Sequence, residues 1–445
     1  MKVITILGLV DKSAEYKYGE MLSKSYSLKT SSYENMLPLL MDNFGKQNVV
    51  PIYTKLAKDK QVKVLEDRFG SKCEDMFDDR NFIENENNFY EILSIINNAT
   101  SGDDEYIVDL THGFRHMPIL ATISLIAQSV GNTEKIRHIF FAKEVEQYKV
   151  YEIIDLKEFL ELANMSYMLE IFIKNYTISS AIYDFKNENF KDLRDSLWIF
   201  SNHLMSNSLK AFGLNLVKIL ESIESIRNNE EISIFKNSLE KIEKHIKELR
   251  EIGKKEEHIK FYEMAKILNQ NGYLLNAITL LFEATGHYCV ERFRGFGKEV
   301  DEHISKYISM IDPNADDKKF SFYTLRLQSR NFVKKNIDND GNEFKEIYLF
   351  NPETLGWSPS KLNNTKGDKK PRKKINKIHS ILKNTMLGIE NIVEFKNLII
   401  SAEKFRNNLT HGNSESKIDN SKQELKILLD NYKKLCIDQD ILRVK

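Results

Sequence analysis

A chain of 445 residues exceeds what a single hydrophobic core usually serves, so two or three domains are expected. With 41% hydrophobic and 29% charged residues and a formal net charge of zero, it reads as globular. That balance excludes a protein coated in basic surface, so any nucleic-acid binding has to be local. Cys73, Cys289 and Cys436 match no zinc spacing and read as reduced thiols. No run reaches the roughly 20 apolar residues of a membrane span. The apolar start MKVITILGLV is short, ends in Asp11 and Lys12, and lacks a small-residue cleavage site, so a cytoplasmic protein with no membrane partner is expected.

Residues 3–7 form an apolar, β-branched run that meets Gly8, the pattern of the first strand of a doubly wound sheet. The segment after it, GLVDKSAEYKYG, is read as an exit loop of small, charged and aromatic residues. A second strand at 49–54 precedes a charged helix ending near Phe69, and the acidic residues 72–88 read as an exposed connection. A helix at 89–97 then leads to the stretch YIVDLTHGFRHMP, residues 106–118. It begins as a buried-type strand, 106–110, and turns through Thr111, His112 and Gly113 into a helical pattern at 114–128.

Open α/β sheets bind ligands at the carboxyl ends of their strands, and the free amides of a new helix's first turn favour an anion such as phosphate. Arg115 and His116 add donors there. A second reading of the same residues is purely structural: Asp109 and Thr111 cap the helix and Gly113 makes the turn. Strands at 136–141 and 150–154 complete a mostly parallel sheet, and Lys143 follows the first of them on the edge where Gly8 and Thr111 are expected. It is read either as reaching a ligand phosphate or as simply solvated.

From residue 156 the strand signals nearly vanish and helical patterns take over at 156–176, 190–226, 232–252, 259–269 and 273–293. The change of period marks a domain boundary around 155–165. Residues 311–377 interrupt the helices with Pro313, Pro352, Pro359 and Pro371, many Asn and Asp, and a basic cluster of Lys366, Lys369, Lys370, Arg372, Lys373, Lys374 and Lys377. They read as an insertion or lid, either guiding RNA through phosphate contacts or with no dedicated role. Helical pattern resumes from 375 and runs to FRNNLTHGN, residues 405–413. Arg406 and His411 form the only Arg-x4-His pair in the chain. His411, beside Gly412 and Asn413, also fits an ordinary helix C-cap.

These motifs carry a resemblance. The run Asp109, Leu110, Thr111, His112 and Gly113, extended by Phe114, Arg115, His116 and Pro118, resembles the DxTHG signature of CRISPR-associated sensor proteins. That family has an N-terminal CARF domain, a Rossmann-like sensor of cyclic oligoadenylates, and many members carry a C-terminal all-α HEPN ribonuclease domain. Arg406 and His411 are similar to the HEPN Arg-x4-His motif, and Asn407 to the polar residue that often follows its arginine. The resemblance implies a CARF domain over 1–160 and a helical linker with HEPN nuclease over 161–445, with the insertion at 311–377. It implies catalysis by Arg406, His411 and Asn407, and activator binding by Gly8, Lys12, Asp109, Thr111, His112, Gly113, Arg115 and Lys143. Gly8 matches a glycine-rich loop of the family, whereas Leu9 and Val10 stand where small residues are usual, which leaves Lys12 and Ser13 as weaker matches.

The implied function is a cyclic-oligoadenylate-activated endoribonuclease that cuts single-stranded RNA in antiviral defence, working as a homodimer. The activator is cyclic tetra- or hexa-adenylate. RNA brings its own nucleophile, the 2′-hydroxyl, so neither a metal nor another cofactor is required for catalysis. Histidine moves protons near neutral pH, and arginine offers a permanently charged fork to the crowded phosphate. The alternative is a non-catalytic regulator whose sheet domain senses a nucleotide and whose helices bind a partner or nucleic acid.

Overall fold

The computed structural model describes residues 1–18, 29–70, 73–102, 104–129, 135–179, 185, 187–209, 212–228, 234–310, 318–337, 369–412 and 418–444. They fall into two compact units, one of residues 1–201 with 218–242 and one of residues 202–217 with 243–445.

Two strands with no polar face sit between the other parallel strands of the first unit's sheet. β1 (Lys2–Ile6) buries all but its first residue, and β5 (Tyr106–Asp109) buries every residue. A strand apolar on both sides has to be covered on both faces, which is the condition for a parallel sheet. Val3 and Ile107 point into one layer, packed with Leu37 and Leu40 of α1 (Met36–Phe44) and Leu65 of α2 (Lys55–Phe69). Ile4 and Val108 point into the other, packed with Ile92 and Ile96 of α3 (Phe89–Ala99) and Met117, Ala121 and Leu125 of α4 (His116–Ser129).

The remaining strands are β2 (Ala14–Tyr18), β3 (Ser32–Tyr33), β4 (Val49–Ile52), β6 (Ile136–Glu146) and β7 (Val150–Asp155), and the sheet order is β3-β2-β7-β6-β5-β1-β4. β4, β1, β5 and β6 run parallel. β7 is antiparallel to β6, and β2 and β3 extend that edge. The four parallel strands therefore open their carboxyl ends along one edge, near Gly8, Tyr53, Leu110 and Ala142.

Three expectations change here. The segment 14–18, read as loop, is a strand whose alternation of buried Ala14 and Tyr16 with exposed Glu15 and Lys17 places it beside β7. The acidic 72–88 segment is not simply an exposed connection: in its described part it buries Cys73, Phe77, Asn81 and Ile83, and Phe82 bridges to Tyr53. β6 continues to Glu146 instead of ending at Phe141, because its hairpin with β7 prolongs the ladder.

Helices follow: α5 (Lys157–Asn175), α6 (Glu188–Met205), α7 (Phe212–Arg227) and α8 (Lys236–Gly253). The single helix expected at 190–226 is two, with Asn207 in the left-handed region at φ 54° after α6. In the second unit, α9 (Glu257–Gln270) and α10 (Leu274–Phe293) form a hairpin through Gly272, whose φ of 83° suits a residue without Cβ. α11 (Lys298–Met310), α12 (Lys318–Asn336), α13 (Lys369–Leu387), α14 (Ile392–Thr410) and α15 (Ile418–Tyr432) follow. α12, α14 and α15 all pack on α10.

Residues 318–336, expected to belong to an insertion, are thus a core helix. It approaches α10 so closely that a Cβ on Gly286 would lie 2.3 Å from Arg330 Nη1 and 2.7 Å from Arg326 Cβ, which explains a glycine inside a helix. Residues 311–317 and 338–368, with Pro313, Pro352, Pro359 and Lys366, lie outside the described residues. Of the rest of the basic cluster, Lys369 to Lys374 fall in the first turns of α13, and Lys377 pairs with Glu299 at 2.6 Å.

Candidate functional site

The turn after β5 is held from below. Asp109 is 0% exposed, and its carboxylate accepts from Thr5 Oγ1 at 2.7 Å, from Thr111 N at 3.0 Å and from Thr111 Oγ1 at 2.5 Å. Burial pushes its pKa up, while His112, Thr111 and Thr5 oppose that. Thr111 Oγ1 also accepts from Ala142 N at 2.8 Å. The chain of contacts Thr5, Asp109, Thr111, Ala142 therefore ties β1, β5 and β6 together where the site opens. Asp109 and Thr111, expected among the ligand contacts, bond within the protein and frame the turn.

His112 is half-buried and its Nε2 accepts from Met36 N, at the start of α1, at 3.3 Å. Burial holds its imidazole below the usual histidine range, with the Asp109 carboxylate opposing, and a neutral ring is what an amide donor requires. Gly113 has φ 100°, and a Cβ there would lie 2.7 Å from Ile6 Cγ2. A Cβ on Gly8 would lie 3.0 Å from Gly113 N. Both glycines are needed for the two loops to touch, and together they leave an edge of backbone. Arg115 and Lys12 are exposed, and so is Lys143, one residue beyond the Ala142 that bonds Thr111.

Two residues of this site were not legible. Gln61 on α2 and Asn35, both buried, hold the 8–10 loop: Gln61 Nε2 donates to Gly8 O at 2.9 Å and Val10 O at 3.1 Å, and Asn35 Nδ2 donates to Val10 O at 2.8 Å. Asn35 Nδ2 also donates to Gln61 Oε1 at 2.8 Å, and Asn35 Oδ1 caps α1 through Leu37 N. The available signal was Asn35 as an N-cap before the apolar run of α1, whereas nothing marks Gln61 within a charged helix.

In the second unit, Arg406 and Asn407 lie in the last turns of α14, and His411 is its C-cap, with His411 N donating to Asn407 O at 3.0 Å and Gly412 following at φ 65°. Asn407 and His411 are exposed and Arg406 is half-buried. Arg406 Nη2 donates to Asn407 Oδ1 at 3.0 Å, and its Cζ lies 4.4 Å from the centre of the Phe282 ring. The fork of a cation and an imidazole thus share one helix end. Sequence reasoning missed Phe282. Elsewhere among the described residues, Glu256, His258 and Glu291 stand close enough to be considered as metal ligands. Their polar atoms are already matched internally: Glu256 accepts from Arg292 Nη2 at 3.0 Å, and His258 Nδ1 bonds Glu291.

A glycine-lined strand-to-helix turn at the carboxyl edge of a doubly covered sheet defines a Rossmann-like ligand-binding domain, here followed by a mostly helical region. Residues 2–151, about a third of the chain, match the family model described as CRISPR system endoribonuclease Csx1, CARF domain. No curated protein matches it. Among solved structures, Enterococcus italicus Csm6 bound to cyclic hexa-2′-fluoro-hexa-dAMP matches at 12% identity over 99% of this chain and 96% of that one, with a TM-score of 0.29. No helix among the described residues is long and apolar enough to cross a membrane.

Proposed function

We propose that the protein is an endoribonuclease of HEPN type, switched on by a cyclic oligoadenylate bound at the CARF edge and cutting single-stranded RNA without a metal. The observation that carries the reading is the grouping of Arg406, Asn407 and His411 on one helix end, in a chain whose N-terminal part is a CARF domain. At the sensor edge, Gly8 and Gly113 supply close backbone approach to the activator's phosphates, and Lys12, Arg115 and Lys143 supply charge. Asp109, Thr111, Asn35 and Gln61 hold that edge in place.

One Arg-x4-His motif provides a single base and a single fork, so the reading includes a homodimer in which two copies pool them about a two-fold axis. The surface of α4 supports this: Ile119, Ile123 and Ile126 are 61%, 53% and 37% exposed at i, i+4 and i+7, an apolar stripe beginning beside the sensor turn. At the cut, His411 accepts the 2′-hydroxyl proton or protonates the leaving oxygen, and Arg406 neutralises charge building on the phosphate. Incubation of the protein with labelled RNA, with and without cyclic tetra- or hexa-adenylate, tests the reading. Activator-dependent cleavage that survives EDTA is the expected result. Tight activator binding with no cleavage of any RNA would leave the non-catalytic regulator standing instead.

A further inference from the structure

Arg406 would be of little use to a phosphate if a neighbouring carboxylate held it, and Glu403 is spaced to do so. Glu403 precedes it by three residues on α14, one turn away on the same face, the spacing at which acidic and basic side chains pair along a helix. Glu283 follows Phe282, the residue whose ring carries the Arg406 guanidinium. Neither bonds Arg406. Lys334 Nζ takes Glu403 at 2.5 Å. Arg326 Nε takes Glu283 Oε2 at 2.5 Å, with Arg330 Nη2 3.6 Å from Glu283 Oε1.

The three cations that occupy these acids are Arg326, Arg330 and Lys334, spaced i, i+4, i+8 along α12, a single ridge on one helix face. Arg330 is the most constrained. It is 0% exposed, donates through Nη1 to Phe282 O at 2.9 Å, and lies with Cζ 3.9 Å from the Phe282 ring that Arg406 also covers. Its Nε and Nη2 have no hydrogen-bond partner, a poor arrangement for stability alone, and α10 gives up a side chain at Gly286 to admit it.

We infer that the cationic ridge of α12 is a positioning device: it saturates Glu283 and Glu403 so that Arg406, resting on Phe282 and braced by Asn407, keeps its donors for a substrate phosphate. This rests on the ribonuclease reading for its purpose but not for its geometry. Lys334→Met frees Glu403 to capture Arg406 one turn on. Adding Glu403→Gln removes the captor.

The test compares wild type, Lys334→Met, Glu403→Gln and the double variant, all in the full chain and checked for equal thermal unfolding. Two readouts are taken: RNA cleavage at saturating cyclic oligoadenylate, and the rate at which phenylglyoxal modifies Arg406, followed by mass spectrometry of the peptide that contains it. Lys334→Met is expected to lower kcat by about tenfold with KM and activator half-saturation unchanged, to slow modification of Arg406, and to be restored in both by Glu403→Gln. A ridge that merely packs the core would give no such rescue. Lys334→Met indistinguishable from wild type in Arg406 modification, or a double variant as impaired as the single one, overturns the inference. Slowed and rescued modification in a protein that cuts no RNA upholds the ridge and overturns the ribonuclease reading.

Discussion

At the sensor turn Asp109, Thr111 and the His112 Nε2 are each engaged with another strand or helix, and two glycines open the backbone at the edge. At the end of α14 the opposite holds: Asn407 and His411 are exposed, and Arg406 leans on one ring and one amide oxygen. A site that reads a ligand through main-chain donors has to be rigid before the ligand arrives, because its selectivity lies in spacing. Groups that transfer a proton or meet a phosphate need open faces, and rigidity can be added by whatever completes the site. The two regions should therefore fail differently when substituted.

The largest effect falls on the open site. His411→Ala and Arg406→Ala should each lower activated RNA cleavage by about a hundredfold or more, the range of losing a general acid-base group or a transition-state charge, with activator affinity unchanged. Calorimetric titration of cyclic oligoadenylate beside a cleavage assay checks both halves. Full cleavage by the His411→Ala protein would break the assignment. On the proposed chemistry the products should be a 2′,3′-cyclic phosphate on one fragment and a 5′-hydroxyl on the other. An RNA with a 2′-deoxy sugar at the cut site should resist, and cleavage of it at the normal rate would place the nucleophile elsewhere.

Substitutions in the sensor frame should spread instead of silencing one step. Thr5→Val removes a donor from a carboxylate that is fully buried, costing about 1–3 kcal/mol. Gly113→Leu forces a side chain into a left-handed backbone against Ile6, with strain of about 1–3 kcal/mol. Both should lower the thermal midpoint and raise the activator concentration for half-activation together, while cleavage at saturating activator stays near normal. Gln61→Leu, which frees the 8–10 loop without touching the turn, should shift half-activation the same way with a smaller stability loss. An unchanged activation curve for folded Gly113→Leu would mean that the ligand binds away from this turn.

The contrast also explains what the sequence allowed to be read. β1, β4, β5 and β7 announce themselves because their apolar runs have no alternative use, and the YIVDLTHG stretch because a strand meeting a polar glycine turn is rare enough to notice. β2 was hidden by its neighbours: AEYKY alternates as a half-buried strand should, but it follows a loop rich in charge and was absorbed into it. Residues 318–336 looked like part of an insertion because proline and asparagine on either side outweighed a helix with few apolar residues. Beside Leu325, Phe332 and Val333, its core contact includes Arg330, and no rule of composition puts an arginine in a core. Gln61 and Asn35 were out of reach for a related reason, since a buried amide is recognisable only by the carbonyls it meets.

The smallest effect expected is a pH dependence of sensing that belongs to His112. Its folded-state pKa lies below the ordinary value of 6.5 because burial disfavours the charged ring, and its Nε2 accepts a hydrogen bond from Met36 N that a protonated imidazole cannot accept. For a histidine depressed in this way, the unfolded chain binds the proton more readily than the folded one. The stability it lends is therefore complete above about pH 6.5 and is lost as pH falls below that value toward the folded pKa. The start of α1 and the 8–10 loop share Asn35, so loosening the Met36 contact should loosen the edge proposed to meet the activator. Activator affinity, measured by direct binding so that the cleavage step does not enter, should fall modestly between pH 7.5 and 5.5. His112→Gln keeps an acceptor for Met36 N but has no proton to gain, and should flatten that slope. If wild type and His112→Gln lose affinity in parallel as the pH drops, the proton acts elsewhere and His112 is only part of the packing beneath the turn.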